Sequence, residues 1–500
     1  MLRSSLIVTF FAALGSVVSF FNQLVLASIF GAGSELDAYL VAISLPLTLV
    51  GLFSGVLSYQ VVPALRREEN TTGSSEASLR AMIWGLGGGA AVVALTGALL
   101  SPWLVPLLAP ALQPVNRALA IKVSTVAWGW LPLAVIGAVL TGGLHVRQKF
   151  TAATLLQPLP VLGAMIGCLV LHMSHGVLTL AWGQTAGYIV MVLAMFSSLR
   201  LKLGPHSWTQ IRGIIREAPL ALAALLFFVF YPFSDAIWGA LAGSAGVSLL
   251  GYAQRLVVGF AGIAVVGAST VLFPRLAQQA AAGNQAALRD DLGRTLRTIL
   301  ACMAPASAFL GVLALPIVQV IFVRGAFDLA QAHALAALLP WMFAGMIAMS
   351  GMALTFKALF AQGRVREAAA ISICGAAVYF VLSGLFARPF GLPGIGAAYA
   401  LSWWLVLFLS GRMLLNDRTT NIDFGFALRV FVITGLCAFV AWAGKGLLHI
   451  TTLGSQTERI LALGCTTLIA VSVFFTACLL WPGMAEISLL VRRLRTREAD

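Results

Sequence analysis

The chain is predicted to be an all-α polytopic membrane protein, with about 14 transmembrane helices in two parallel six-helix lobes plus two C-terminal helices. Three observations predict this. First, of 500 residues 60% are hydrophobic and only 10% charged, whereas charged residues make up roughly a quarter of a soluble domain. Second, apolar runs of about twenty residues recur along the whole length, each long enough to cross the hydrocarbon core. They are continuous rather than alternating, which selects helices over a closed barrel. Third, the most patterned stretch of the chain returns once, about two hundred residues later.

The spans fall at 5–29, 36–63, 81–107, 118–142, 152–173, 177–199, 217–241, 248–273, 297–322, 333–360, 367–388, 394–415, 426–448 and 459–481. Arg3 precedes the first apolar run as in a signal peptide, but the run continues to Phe30 without a cleavage pattern, so it reads as a retained span. The second span is entered through a Gly-rich turn, Gly31 to Gly33. It has Asp37 at its mouth, contains Pro46, Gly51 and Gly55, and closes on Pro63-Ala64-Leu65 with Arg66 and Arg67.

That second-span pattern is the one that recurs. Gly33-Ser34 matches Gly243-Ser244, and Pro63-Ala64-Leu65 matches Pro274-Arg275-Leu276. Further along, Leu144 to Ala153 resembles Leu359 to Ala368, and Gly176 to Gly187 resembles Gly394 to Leu405. Spans one to six and seven to twelve are therefore related halves. Each holds an even number of spans, so the repeat is parallel rather than inverted. The expected organisation is an N-terminal lobe at 1–200, a surface linker at 201–216 and a C-terminal lobe at 217–415. Two additional helices at 416–482 and a basic tail at 483–500 follow.

Charge sets the orientation. Of the 31 Lys and Arg residues, six (Arg117, Lys122, Arg324, Arg388, Lys445 and Arg459) fall on one face and two, Arg255 and Lys357, inside spans; all the others fall on the opposite face. The positive-inside rule then places both termini on the cytoplasmic side. The net charge of +14 is spread over short loops and the tail without interleaved aromatics, which argues against a nucleic-acid partner. It suits membrane lipids instead, and the arginines of the tail suit anionic ones.

Enzyme signatures are absent. The stretch Gly85 to Ala90 formally fits a dinucleotide fingerprint, but it lies inside an apolar span with no strand before it, so helix packing explains it. The six cysteines all sit within apolar segments and none forms a Cys-x-x-Cys pair. His172 and His175 lack a third ligand, and no metal or cofactor is expected.

The candidate functional residues are the polar groups inside spans, where a charge costs about 2.5–3.5 kcal/mol at mid-span on the insertion scale. Asp37, Asp235 and Arg255 all fall in the half of the membrane opposite the basic face. Lys357 lies near the basic end of its span and can snorkel. Asn22, Gln23, Gln60, Gln184 and Gln254 are further candidates for a polar cavity, or bond between helices. Asp37, Asp235 and Arg255 read either as a structural ion pair between lobes or as transport groups. In the second case Arg255 meets an anionic group while the acids gate or bind a cation.

These residues resemble the MurJ (MviN) family of lipid II flippases, within the group of multidrug, oligosaccharidyl-lipid and polysaccharide exporters. The stretches that carry the resemblance are IFGAGSELDAY (Ile29 to Tyr39) with the later Val-Pro-Ala-Leu, YAQRL (Tyr252 to Leu256) followed by LFPRLAQQAAAGN, and KALFAQGRVREAA (Lys357 to Ala369). The resemblance implies alternating access around a cationic cavity that accepts a polyprenyl-pyrophosphate-linked saccharide. Glycan-synthesis enzymes are the implied partners, and membrane potential or a monovalent cation the implied driver. It also implies that Asp37, Arg255 and Lys357 occupy family positions and that Asp235 matches an acid that helps to bind sodium in some members. The family's arginines in span one would fall at Ser16 and Asn22, and its span-two arginine near Leu49 or Val50; the polar pair completing the sodium site would fall near Tyr379 and Ser383. These departures leave a flippase for another lipid-linked glycan as the main alternative. A cation-coupled drug antiporter and a non-transporting scaffold stand behind it.

Overall fold

A computed structural model of the chain describes residues 2–110, 112–201, 204–243, 245–282, 284–415, 424–448, 450 and 455–480. The basic tail at 483–500, Lys202 and Ser244 lie outside the described residues. Every regular element among the described residues is helical. In order these are α1 (Leu2–Phe30), α2 (Ser34–Thr72), α3 (Glu76–Leu108), α4 (Pro114–Ala127), α5 (Trp130–Val146), α6 (Phe150–Leu156), α7 (Leu159–His175) and α8 (Leu178–Leu199). They continue with α9 (Thr209–Ala242), α10 (Gly246–Ala281), α11 (Gln285–Val312), α12 (Ala314–Phe322), α13 (Leu329–Ala361), α14 (Val365–Leu415), α15 (Phe424–Leu447) and α16 (Gln456–Leu480).

Eleven helical segments among the described residues, with α4–α5 and α6–α7 each taken as one, are long and apolar enough to cross a membrane. Helices α1 and α10 and the second half of α14 account for the other expected spans. Helix α14 is two helices joined at Gly391 (φ 62°, ψ −142°) between Pro389 and Pro393, and the spans predicted at 367–388 and 394–415 flank that kink. The outward side of α3 is a run of exposed apolar residues at helical spacing, Val92, Leu95, Leu99, Trp103 and Leu107. Such a face is stable against lipid and not against water.

The chain divides into two compact units. The first holds residues 1–251 with 324–327, and the second holds 252–323 with 328–500. In the first unit α2 packs on α4, α5 and α9, and glycines set how closely. A Cβ at Gly51 would lie 3.0 Å from Val229, one at Gly55 2.9 Å from Leu225, and one at Gly142 2.4 Å from Val61. The α7–α8 crossing is closer still. Gly163 and Gly167 on α7 face Gly183 and Gly187 on α8, with backbone atoms where side chains would otherwise stand.

The second unit is built on α13, which packs on α14, α11 and α12, while α15 packs on α11 and α16. A Cβ at Gly345 would lie 2.8 Å from the Tyr399 ring, and a buried Thr355–Ser410 hydroxyl pair at 2.8 Å joins α13 to α14. The two helices beyond the repeat are seated by Ala301, Val430, Ile433 and Cys437, flanked by Phe426 and Phe474.

The packing boundary differs from the repeat boundary expected at 201–216. Helix α9, the first span of the second half, belongs to the first unit. The physical cause is local. Ser207 N donates to Ala77 O at 3.1 Å, Arg80 Nε donates to Pro205 O at 3.1 Å, and Trp208 and Ile211 fill the space left by Gly85. These bonds tie the linker to α3 and carry α9 on to the glycine face of α2.

The repeat itself is written in the backbone. Both halves leave a helix through a left-handed residue, Gln148 (φ 58°) and Gly363 (φ 71°). Around them Gln148 N donates to His145 O at 3.0 Å and Lys149 N to Leu144 O at 2.8 Å, just as Gly363 N donates to Phe360 O at 3.0 Å and Arg364 N to Leu359 O at 2.9 Å. This is the Schellman termination, made twice. The basic residue that follows reaches the end of the last helix of its half in both cases: Lys149 Nζ donates to Ser198 O at 2.7 Å, and Arg364 Nη1 to Met413 O at 3.1 Å. The same interval relates Gly176 (φ 56°, ψ −141°) to Gly391 (φ 62°, ψ −142°). The structure therefore moves the sequence match of Gly176 from Gly394 to Gly391, because it is the turn conformation that repeats and not the following glycine.

Several hydrogen bonds of the first unit join segments expected on the same face. On the basic face Glu76 binds Arg147 at 2.6 Å and Arg80 at 3.3 Å, Arg147 also donates to Leu199 O, and Gln210 reaches Glu68 at 3.2 Å. Glu76 thus gathers the ends of α3, α5 and α8 with the linker. Substituting Glu76→Ala leaves two partly buried guanidiniums without their shared carboxylate. It is expected to cost about 1–2 kcal/mol, between an exposed and a fully buried pair, and to appear as a lower melting temperature of the detergent-purified protein.

Candidate functional site

The candidate residues divide between the units. Asn22 (α1), Asp37 and Gln60 (α2) and Asp235 (α9) lie in the first; Gln254 and Arg255 (α10) and Lys357 (α13) lie in the second.

Asp37 sits in the first turn of α2 and is only 5% exposed. Its Oδ1 accepts from the backbone N–H of Ser248 at 2.7 Å, and the amides of Ala245 and Val247 and the Ser248 hydroxyl also face the carboxylate. The first N–H groups of a helix have no partner within it, and the helix dipole makes that end positive. The carboxylate of α2 therefore caps α10 from outside. Packing holds the arrangement in place, since Val41 on α2, Ala236 on α9 and Val247 on α10 share one buried cluster with Leu108 and Ala109.

Asp235 precedes Ala236 in that cluster region and is also 5% exposed. Its neighbour Ser234 is fully buried, and the Ser234 hydroxyl finds no hydrogen-bond partner among the described residues. The same is true of the Asn22 and Gln60 side-chain oxygens. Groups of this kind are costly in a membrane interior unless something else meets them, so they stand as polar points on otherwise apolar helices.

In the second unit Gln254 is 5% exposed with both amide atoms unpartnered among the described residues. Arg255, the next residue, is exposed, and lies about 10 Å along the helix axis from Ser248. Lys357 is partly buried near the end of α13. Gln319 on α12 (3% exposed) and Ser383 on α14 are further buried groups whose side-chain oxygens are unpartnered among the described residues. No group of three or more His, Cys, Asp or Glu able to hold a metal occurs among the described residues.

Sequence reasoning passed over Glu35 and Glu76. Glu35 Oε1 accepts from the Val177 N–H at 3.1 Å, so a second acid of the same α2 turn caps α8. Its signal, an acid two residues before Asp37 at a helix start, was present, but its partner is a backbone amide far away in the chain and leaves no mark in the sequence.

Comparison with known proteins places this architecture. A family model described as "Lipid II flippase MurJ" matches residues 26–463. The "Probable lipid II flippase MurJ" of Buchnera aphidicola subsp. Acyrthosiphon pisum is 22% identical, over 93% of this chain and 94% of its own. That of Synechocystis sp. is 23% identical, over 98% of this chain and 96% of its own. A solved structure of "Lipid II flippase MurJ, inward closed conformation" superposes with a TM-score of 0.79 at 17% identity, over 99% of this chain and all of that one. An inward-facing multidrug resistance MATE family transporter of the MOP superfamily gives 0.67 at 14% identity, over 82% of this chain and 96% of its own. The structural likenesses show the shared fold, and the sequence match over nearly the whole length shows the family: this chain belongs to the MurJ family of lipid II flippases.

Proposed function

We propose that this chain is a lipid II flippase of the bacterial inner membrane, a transporter without catalytic chemistry. Its substrate is the polyprenyl-pyrophosphate-linked peptidoglycan precursor, carried from the cytoplasmic to the periplasmic leaflet by alternating access. The observation that carries the reading is the family match from residue 26 to 463, which runs from the end of the first span through the whole of the second half. In this reading the basic face is cytoplasmic, with both termini there. Arg255 meets the pyrophosphate, Gln254 and Lys357 line the path, and Asn22 and Gln60 supply polar points in the first unit. Asp235 responds to a monovalent cation, and membrane potential, worth about 2.3 kcal/mol per charge per 100 mV, drives the cycle. Enzymes of glycan synthesis are the expected neighbours in the membrane.

One observation favours a second reading. Ser16, Asn22 and Leu49 or Val50 stand where the family resemblance puts arginines, and each lost cation weakens the hold on a pyrophosphate. The alternative is a flippase for another lipid-linked glycan. Expression in a bacterial host depleted of its own lipid II flippase separates the two. Restored growth with surface-accessible lipid II is expected; no restoration by a correctly inserted protein would move the assignment to another glycan.

A further inference from the structure

Residues 323–328 join α12 to α13, and both helices belong to the second unit, yet the stretch 324–327 packs as part of the first. That stretch is a tight turn. Phe327 N donates to Arg324 O at 3.2 Å, and Gly325 has the positive φ, 59°, that turns of this kind reserve for glycine. The amide of the next residue, Ala326, donates to Ser28 O at 2.9 Å. Ser28 O is among the last four carbonyls of α1, which have no partner within the helix. We propose that the turn at 324–327 is a strap on the carboxyl end of α1 at the periplasmic side, and that it must unseat from Ser28 for the transport path to open outward. The transport consequence rests on the function proposed above; the seating of the turn does not.

Three features support the strap. First, the seat accepts only glycine: a Cβ at Gly325 would lie 2.1 Å from Ser28 O and 3.0 Å from the Ser28 carbonyl carbon, main-chain atoms that no rotamer moves. Second, α1 is finished to receive it. Ala27 is fully buried, Gly31 N takes the Ala27 carbonyl at 2.9 Å, and the Ser28 hydroxyl turns back to Val25 O at 2.9 Å. The Ser28 carbonyl is left to the strap, and Phe327, 1% exposed, anchors the far end of the turn. Third, the first half sends out a counterpart. Leu108 and Ala109, where its own third span ends, pack on Ala236 of α9 and Val247 of α10, and matching Gly33 to Gly243 sets Ala236 against Leu26. In each half the chain leaving the third span thus lies at the outer end of the other half's first span. A neutral hydrogen bond is weak enough to be made and broken once per cycle, and Arg324, Gly325 and Ala326 are exposed around it.

The test uses the full-length protein with its six cysteines replaced by alanine, into which Ser28→Cys and Ala326→Cys are introduced together. Vesicles carrying labelled lipid II give the transport rate before treatment with a short bis-methanethiosulfonate, after it, and again after reduction. Mass spectrometry reads the cross-link. Cross-linking should lower the rate at least about tenfold, as when one of two alternating states is removed, and reduction should restore it. Each single-cysteine variant, treated in the same way, should keep the untreated rate. A second measurement reads the seat without transport. Gly325→Ala is combined with Ser28→Cys, whose reaction with a membrane-impermeant maleimide should quicken by about tenfold, the scale of the local opening that a lost hydrogen bond permits. A pair that does not cross-link, or labelling unchanged by Gly325→Ala, would overturn the seat. Cross-linked protein that transports at the untreated rate would overturn the strap's part in transport. If Gly325→Ala fails to accumulate, the cross-link decides alone. Failure of wild type to move lipid II would count against the proposed function, with the seat still judged by cross-linking and labelling.

Discussion

Substituting Gly183→Val is expected to remove most folded protein from the membrane. Helices α7 and α8 cross with Gly183 against the backbone of Gly163, and a Cβ at Gly183 would lie 2.2 Å from Gly163 O. No rotamer relieves that overlap, because the opposing atom is main chain, so the helices must separate along their length. Overpacking of an interior costs about 1–3 kcal/mol when side chains can yield, and here the figure should reach the upper end or exceed it. The neighbouring contacts would be lost too, since Gly187 packs on Leu159 O and Gly167 on Thr179 O. Helix association in lipid depends on this close approach rather than on a hydrophobic drive. Gly88→Val is the control: nothing lies within 4 Å of a Cβ there and the position is exposed, so membrane levels should stay near wild type. Both can be read by quantitative immunoblot of membrane fractions and by thermal melting of the purified protein.

Arg255→Ala should do the reverse, sparing the fold and removing the activity. Arg255 is exposed on α10, and surface substitutions outside special features change stability by only about ±0.5 kcal/mol. The same side chain, meeting a pyrophosphate in a site of low dielectric, would contribute a charge-assisted contact of about 1.5–3 kcal/mol, or roughly 10- to 100-fold in transport. The chain lacks arginines at Ser16 and Asn22, so fewer cations share the load and the loss should fall toward the larger figure. Growth rescue at matched membrane levels measures it. Rescue by Arg255→Ala equal to wild type would remove this residue from the transport path.

The fold was legible in the sequence because a membrane leaves few options for a continuous apolar run. The spans follow from apolar length, and the kinship of the stretches around Gln148 and Gly363 from local sequence likeness. What the sequence hid were contacts between distant segments. That α9 joins the first unit depends on Val229 and Leu225 meeting Gly51 and Gly55. The glycines could be read, but not which helix they would receive. The candidate site was legible to the same depth. Asp37 stood out as a charge in an apolar context, whereas its role as a cap depends on the Ser248 amide, a group every residue but proline possesses. Buried amides such as Gln254 were visible as residue types, and their lack of partners only as geometry. The Gly176 match slipped to Gly394 because glycine is common in membrane helices, and only the backbone angles single out Gly391.

The central claim is that this chain moves lipid II, and the most direct measurement is transport by the purified protein. It would be reconstituted into vesicles carrying fluorescently labelled lipid II, under an imposed membrane potential, with wild type and Arg255→Ala run in parallel. A membrane-impermeant quencher then reports the fraction of label exchanged between leaflets. Wild type should expose the inner-leaflet label at least about tenfold faster than protein-free vesicles, and Arg255→Ala should fall close to that background. Lipid II exchange no faster than in empty vesicles, with rapid exchange of a different polyprenyl-linked glycan in the same preparation, would contradict the assignment while leaving the fold and family untouched.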